Sequence, residues 1–467
     1  MNQHCNAKVI IDPLAIASSC ELSELFQHFA HQPWAMLLDS ANSQHIDARF
    51  DIMVAAPIAT ITTHQQLSTV WQQDEPAYSS TANPLTLLED LQAELFADCS
   101  ASEELYPELP FLVGALGYFA YDLGRHFEAL TELHKPEYDS PDMAVGLYSW
   151  SIIKDRHSGQ FYYCRLENKA DFAAQYFEKL ALKTKTATTF SLSSSWRANV
   201  SEELYHKKLQ QIDEYLRAGD CYQINFSQCF SAQYQGDEWQ AYIALRQANQ
   251  APFSAFINLP NSRILSISPE RFLSLKNGQV QSKPIKGTRP RFSDPQRDQQ
   301  AIDELLNSEK DRAENLMIVD LLRNDLSKHC KAHTVQVPAL FNIESFAAVH
   351  HLVSTVTGEL DGHSSAYSLF QGAFPGGSIT GAPKIRAMQI IDELEPHKRN
   401  IYCGSIGYFG IRKDMDSSIC IRTLLCEKQN IYCWAGGGIV LDSVASEEYQ
   451  ESLDKVAKIL PLLSQLA

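Results

Sequence analysis

SSICIRTLLCEKQNIYCWAGGGIV, residues 417–440, reads as strand after strand with no helix between them, and this grouping decides the fold class. It follows another strand-like segment, SIGYFGI at 405–411, and precedes a last helix expected from 446 to about 460. The same grouping holds upstream. YQINFSQCFSAQY (222–234) and RILSISPERFLSLKNGQVQSKPIKGT (263–288) are strand-rich, the second turning back at Asn277-Gly278. Helical patterns stand apart from these strands. SEELYHKKLQQIDEYLRAGD (201–220) can be capped by Ser201 and stopped by Gly219, and further helices are expected at about 238–247, 295–308 and 311–325. KIRAMQIIDELEP (384–396) is entered through Pro383 and ended by Pro396. Strands grouped between separate helices, with few strand–helix–strand alternations, predict an α+β protein with large antiparallel sheets.

The N-terminal part adds FDIMVAAPIATITT (50–63), FLVGALGYFAYDLGR (111–125) and two strands, within 143–155 and 157–166, joined by a turn at 156–159. On this reading the first 165 residues lack helices to cover their strands, so they are expected to share one fold with the rest. The Ser/Thr/Lys-rich stretch 179–198 reads as a crossing loop between an N-terminal region (1–178) and a C-terminal one (199–467).

Composition narrows the function. With 45% hydrophobic and 20% charged residues among 467, the chain reads as globular, neither disordered nor collagen-like. Lys and Arg total 39 against 56 acids, a net charge of −17 with no tight basic cluster, which disfavours nucleic acid as a partner. Between Arg49 and Arg125 there is no basic side chain other than histidine but there are eleven acids, a solvated acidic face or a docking face. No 18-residue apolar run suggests a membrane span, and the first twenty residues do not read as a signal peptide. Eleven cysteines without a CxxC pair fit a reduced, cytoplasmic protein better than a disulfide framework or a zinc site.

Two carboxylate pairs stand three residues apart in helical patterns, Asp311/Glu314 and Glu448/Glu451. On a helix each pair shares a side, and facing pairs would suit Mg²⁺, which prefers oxygen ligands; solvated acids on exposed helices are the plainer reading. FPGGSITGAPK (374–384) sets a glycine turn before a helix N-terminus, where free N–H groups favour an anion. It lacks the P-loop spacing, and AGGGIV (435–440) lacks the dinucleotide fingerprint, so a small polyanionic metabolite fits better than a nucleotide. Lys286, between Ile285 and Gly287, is either an exposed turn lysine or an amine whose pKa is lowered by burial or by neighbouring cations so that it can act as a nucleophile. His350-His351 has no partner at zinc-ligand spacing.

PIKGTRPR, DRAENLMIVDLLRND, HHLVST, FPGGSITGAPK, SSICIRT, AGGGIV and EYQESLDK occur together in an order that resembles the chorismate-utilising enzymes, over nearly the whole chain. The resemblance implies two antiparallel sheets packed face to face with helices outside, and a catalytic region at 199–467. Lysine at 286 resembles the members that aminate C4 of chorismate for 4-aminobenzoate and folate synthesis, whereas anthranilate synthases carry alanine there. An anthranilate synthase and a non-catalytic tryptophan-binding relative are the other readings.

The implied roles follow position by position. Lys286 would attack the ring, with Glu270 of SPERF as acid/base and His351 near the leaving hydroxyl. Glu314 and Glu451 would be the principal Mg²⁺ ligands, with Glu448 and Asp311 close by. Arg422, Tyr408 and the backbone of Gly436, Gly437 and Gly438 resemble the clamp on the enolpyruvyl carboxylate, Lys455 is a charge partner, and Thr380 lies in the ring-carboxylate loop. Gln223 stands where isochorismate synthases place a water-activating lysine, which an amide cannot replace. Leu38, Ser40, Arg49, Phe50, Pro252 and Phe253 resemble the family's amino-acid pocket, implying a bound tryptophan. The chain shows no glutaminase nucleophile segment, so a separate glutamine amidotransferase subunit is implied as the source of ammonia, in a heterodimer. Cys229 and Ser417-Ser418 depart from the family pattern.

Overall fold

The tight returns between strands build the architecture. A computed structural model describes residues 7–97, 99–100, 106–128, 130, 133–134, 138–167, 188–345 and 349–466. Within them the strands form two sheets, of fourteen and twelve strands, and every pairing is antiparallel except the short contact of Ala7–Leu14 with Cys99–Ser100. Asn277 and Gly278 both take positive φ, 51° and 74°, as a two-residue hairpin between Arg271–Lys276 and Gln279–Ser282 requires. Lys428 and Gln429 do the same between Thr423–Glu427 and Asn430–Ile439.

Both parts of the chain contribute to both sheets. Met36–Asp39 pairs with Phe253–Asn258 in the larger sheet, and Gly114–Phe119 pairs with Ser405–Gly410 in the smaller. Ile52, Ile257 and Leu425 of the larger sheet meet Ile61, Leu116 and Phe409 of the smaller in one buried cluster, so the sheets pack face to face. The outer face of the larger sheet is covered by the Glu238–Asn249 and Leu460–Gln465 helices through Trp239, Tyr242 and Leu463. Among the described residues no helix is long and apolar enough to cross a membrane, and the described cysteines are free thiols.

Some elements differ from the sequence expectation. The N-terminal part does carry a covering helix, Pro84–Leu95, capped by Asn83 Oδ1 on the N–H groups of Leu85 (2.9 Å) and Thr86 (3.2 Å), with Leu85, Leu88 and Leu91 buried. The last helix ends at Asp454, and a short one restarts at Leu460–Gln465, where Pro461 can occupy the first turn but could not continue a helix. The three glycines of 436–438 lie inside the Asn430–Ile439 strand. Residues 179–187 of the expected crossing loop lie outside the described residues; Ser191–Leu192 and Arg197–Ala198 pair with Gln223–Gln235. Cys229 stands opposite Trp434 in the interior, and the Ser417 hydroxyl bonds the Leu273 carbonyl at 3.0 Å.

One buried ion pair ties the site-bearing segments together. Arg399 and Glu395, each 1% exposed, are joined at 2.7 and 2.9 Å. Arg399 also donates to the carbonyls of Asn225 (2.6 Å) and Ile379 (3.0 Å), and Glu395 accepts from the Ser227 amide (2.8 Å) and hydroxyl (2.7 Å). A lone buried charge costs far more than a satisfied pair contributes. Glu395→Gln is therefore expected to destabilise the fold by about 3–5 kcal/mol in urea unfolding; a loss below about 1 kcal/mol, the range of an exposed pair, would contradict this reading.

Candidate active site

Lys286 lies on Ile285–Pro290, whose register against Val349–Glu359 shifts between Lys286 and Thr288. Gly287 makes this irregularity possible. It has φ 70°, and a Cβ there would strike Leu305 and Asp311 at 2.7–2.8 Å. Lys286 Nζ donates to the Ser378 carbonyl at 3.2 Å. Burial lowers its pKa; the carboxylates of Glu314 and Glu270 pull the other way, and Lys455 adds to the lowering. Of the two causes the sequence offered, burial or neighbouring cations, burial is the larger.

Glu270 is buried between the Ser262–Ser268 and Arg271–Lys276 strands and accepts from Ser378 Oγ at 3.0 Å. Burial pushes its carboxyl up to about 7 although the Lys286 charge opposes that rise. Burial thus moves both groups toward their neutral forms, the acid keeping its proton and the amine shedding one more readily. His351 is buried, with Nδ1 2.8 Å from Thr288 Oγ1. Burial and the Arg422 charge push its pKa down to about 3, so the ring is neutral at working pH.

Arg422 supplies the anion-seeking group. Its φ of 52° sets it apart from the strand that follows, and its guanidinium has no acidic partner among the described residues, so burial lowers its pKa unopposed. A desolvated cation of this kind calls for an anionic ligand. Gln223 is wholly buried, neither amide atom has a hydrogen-bond partner, and a Cβ on Gly438 would stand 2.6 Å from its Nε2. Lys455 Nζ donates to the Gly436 carbonyl and pairs with Glu451, both at 2.7 Å. A Cβ on Gly437 would meet Glu448 at 3.2 Å, Glu451 at 3.4 Å and Lys455 at 3.5 Å, so glycine leaves these heads their space. Thr380 is buried and its hydroxyl closes the 376–380 turn on the Gly376 carbonyl at 3.0 Å.

The carboxylate pairs sit on the Glu309–Ser327 and Ala445–Asp454 helices. Glu448 accepts from Ser443 Oγ at 2.7 Å and stands 3.4 Å from Lys310, a cation the sequence reading did not single out. Glu314 is raised by burial and by its acidic neighbours Asp311 and Glu448, while Lys286 and Lys310 lower it. Asp311 leans to Arg289 at 3.2 Å. All four offer carboxylate oxygens, the donor type that a hard divalent cation prefers. Among the described residues the group whose possible ligand atoms all lie within 4.8 Å of one another is instead His45, Asp47 and Glu344, and there Lys283 already bridges Asp47 (3.1 Å) and Glu344 (2.5 Å).

A separate cavity of about 290 Å³ opens between the sheets, lined by Leu38, Arg49, Phe50, Pro252 and Phe253. Arg49 is held by Asp155 through two hydrogen bonds of 3.0 and 3.2 Å. Two site expectations are corrected here. Tyr408 lines this cavity, not the Arg422 clamp: it stands opposite Asp416 and Leu116 in the smaller sheet, its ring 5.2 Å from Phe111. Ser40 does not line the cavity; its hydroxyl is taken up by Asp51 and by Arg156 at 3.1 Å.

This architecture and site place the protein in a known class. The chain belongs to the chorismate binding enzyme family, whose pattern matches residues 35–461. It is 52% identical to aminodeoxychorismate synthase component 1 of Klebsiella aerogenes, over 93% of this chain and 95% of that one. Identity to aminodeoxychorismate synthase component 1 of Escherichia coli (strain K12) is 49%, over 94% and 95%. Among solved structures, anthranilate synthase component I from Streptococcus pneumoniae TIGR4 is similar at a TM-score of 0.77 and 30% identity, covering 89% of this chain and 93% of that one.

Proposed function

We propose that this protein replaces the C4 hydroxyl of chorismate with an amino group, giving 4-amino-4-deoxychorismate for 4-aminobenzoate and folate synthesis. The observation that carries the reading is the pairing of a desolvated Lys286 amine with a Glu270 acid raised to about 7. The names of the two relatives at about half identity support it. The neutral amine attacks C2, both double bonds of the ring diene shift by one position, and the C4–O bond breaks as Glu270 gives its proton to the departing oxygen, which leaves as water. The alkylated nitrogen returns a proton to Glu270. Ammonia then adds at C4, both double bonds shift back, and the C2–N bond breaks as Glu270 protonates the leaving lysine nitrogen. Covalent catalysis thus divides one poor displacement into two allylic ones.

Arg422 and the backbone of 436–438 would hold the enolpyruvyl carboxylate, and neutral His351 would face the leaving group without competing for its proton. Gln223 favours nitrogen over water as the incoming group, since an amide is no base. Glu314 and Glu451, backed by Glu448 and Asp311, would hold Mg²⁺, whose charge neutralises the ring carboxylate when bound. The designation "component 1" of the relatives supports a second component, which we take to be a glutamine amidotransferase supplying ammonia. The cavity's apolar rings suit the aromatic side chain of tryptophan.

Incubating the chain with chorismate, Mg²⁺ and ammonium should yield 4-amino-4-deoxychorismate by mass. Quenching with chorismate alone should leave an adduct on Lys286 in peptide mapping, and Lys286→Ala should form none. The rate should fall at low pH, where Lys286 is protonated, and at high pH, where Glu270 has lost the proton it must donate. Anthranilate as product, or an adduct on another residue, would contradict the proposal. For the metal, EDTA should abolish turnover, and Glu451→Gln should cost on the order of tenfold or more in rate; full activity in EDTA would remove Mg²⁺ from the account.

A further inference from the structure

Ser378 touches both reacting groups. Its Oγ donates to Glu270 Oε1 at 3.0 Å, and its carbonyl accepts from Lys286 Nζ at 3.2 Å. The turn that presents it is secured on all its other carbonyls. Gly376 accepts from the Thr380 hydroxyl at 3.0 Å, Gly377 from the Thr380 amide at 3.4 Å, and Ile379 from Arg399 Nη1 at 3.0 Å. Gly377 lets the turn lie under the Glu309–Ser327 helix, since a Cβ there would collide with Leu321. The Ser378 carbonyl is thus the one left to face the amine, and its side chain is buried with the acid.

We propose that Ser378 is a positioning residue that receives the charge developing on both groups during amination: its carbonyl faces the Lys286 nitrogen as the C2–N bond makes it cationic, and its hydroxyl faces Glu270 as the acid gives up its proton. The inference rests on the amination reading above. One residue holds donor and nucleophile at a fixed separation, so charge separates between two groups that a single rigid turn already solvates. Preorganised dipoles of this kind need no reorganisation when the charge appears. Hydrogen bonding from Ser378 pulls the Glu270 pKa down against burial, so losing the hydroxyl raises it further.

The test compares wild type, Ser378→Ala and Ser378→Thr with chorismate, Mg²⁺ and ammonium, following 4-amino-4-deoxychorismate across pH. Ser378→Ala keeps the carbonyl and loses only the hydroxyl. It should lower kcat ten- to a hundredfold, roughly the worth of one hydrogen bond to a charged group. KM for chorismate should hold, because the hydroxyl contacts enzyme groups, and one limb of the pH profile should move to higher pH as Glu270 keeps its proton longer. Ser378→Thr should restore both rate and limb. A kcat within about twofold of wild type, an unmoved limb, or a threonine variant no better than alanine would overturn the assignment. If wild type itself forms no 4-amino-4-deoxychorismate, the amination reading falls instead, and the two failures are told apart by that control.

Discussion

Burying the Lys286 amine beside the Glu270 carboxyl is the constraint on which the rest of the site depends. In water the lysine would be an ammonium and the glutamate a carboxylate, and neither could do its part of a displacement at neutral pH. Desolvation lowers the lysine pKa and raises that of the acid. Mutual attraction opposes both shifts, since each charged form stabilises the other. Burial wins for both groups, so each is shifted toward its neutral form.

The fold supplies that burial. Glu270 and Lys286 come from separate segments of the smaller sheet's side of the molecule, and the register shift at Gly287 lets the second strand carry Lys286 into the site. The glycine turn reaches both groups through Ser378, and the Arg399–Glu395 pair fixes that turn to the Gln223–Gln235 strand, which carries Gln223. Charged groups with open valence surround the pair: Arg422 without an acid among the described residues, and the carboxylates of two helices with interleaved lysines. The site is assembled for a substrate that brings its own negative charges.

How much of this was legible in the sequence depended on whether a role is local. Asp311/Glu314 and Glu448/Glu451 could be read because helical spacing alone puts each pair on one side. Antiparallel sheets could be read from strands grouped between helices. Tyr408 was misplaced because which face of a strand meets a site depends on the layer across from it, which periodicity does not reveal. Ser40 failed for a similar reason, its hydroxyl being claimed by Asp51 and Arg156, far along the chain. The Pro84–Leu95 helix carries signals that are local: an Asn cap, a proline in the first turn and leucines at helical spacing. Ser378 had no sequence signal of its own, because its partners lie 92 and 108 residues away.

The central claim is that the protein holds Lys286 as a readily neutralised amine. Isotope-labelled lysine NMR, with the Lys286 resonance assigned by its loss in Lys286→Ala, measures this directly in the ligand-free protein. The account predicts that Lys286 titrates below the ordinary lysine value of 10.5 and below exposed lysines. It also predicts that Glu270→Gln moves that titration lower still, because the carboxylate charge is one of the groups holding the proton on. A Lys286 amine that titrates at or above 10.5, or one indifferent to Glu270, would contradict it.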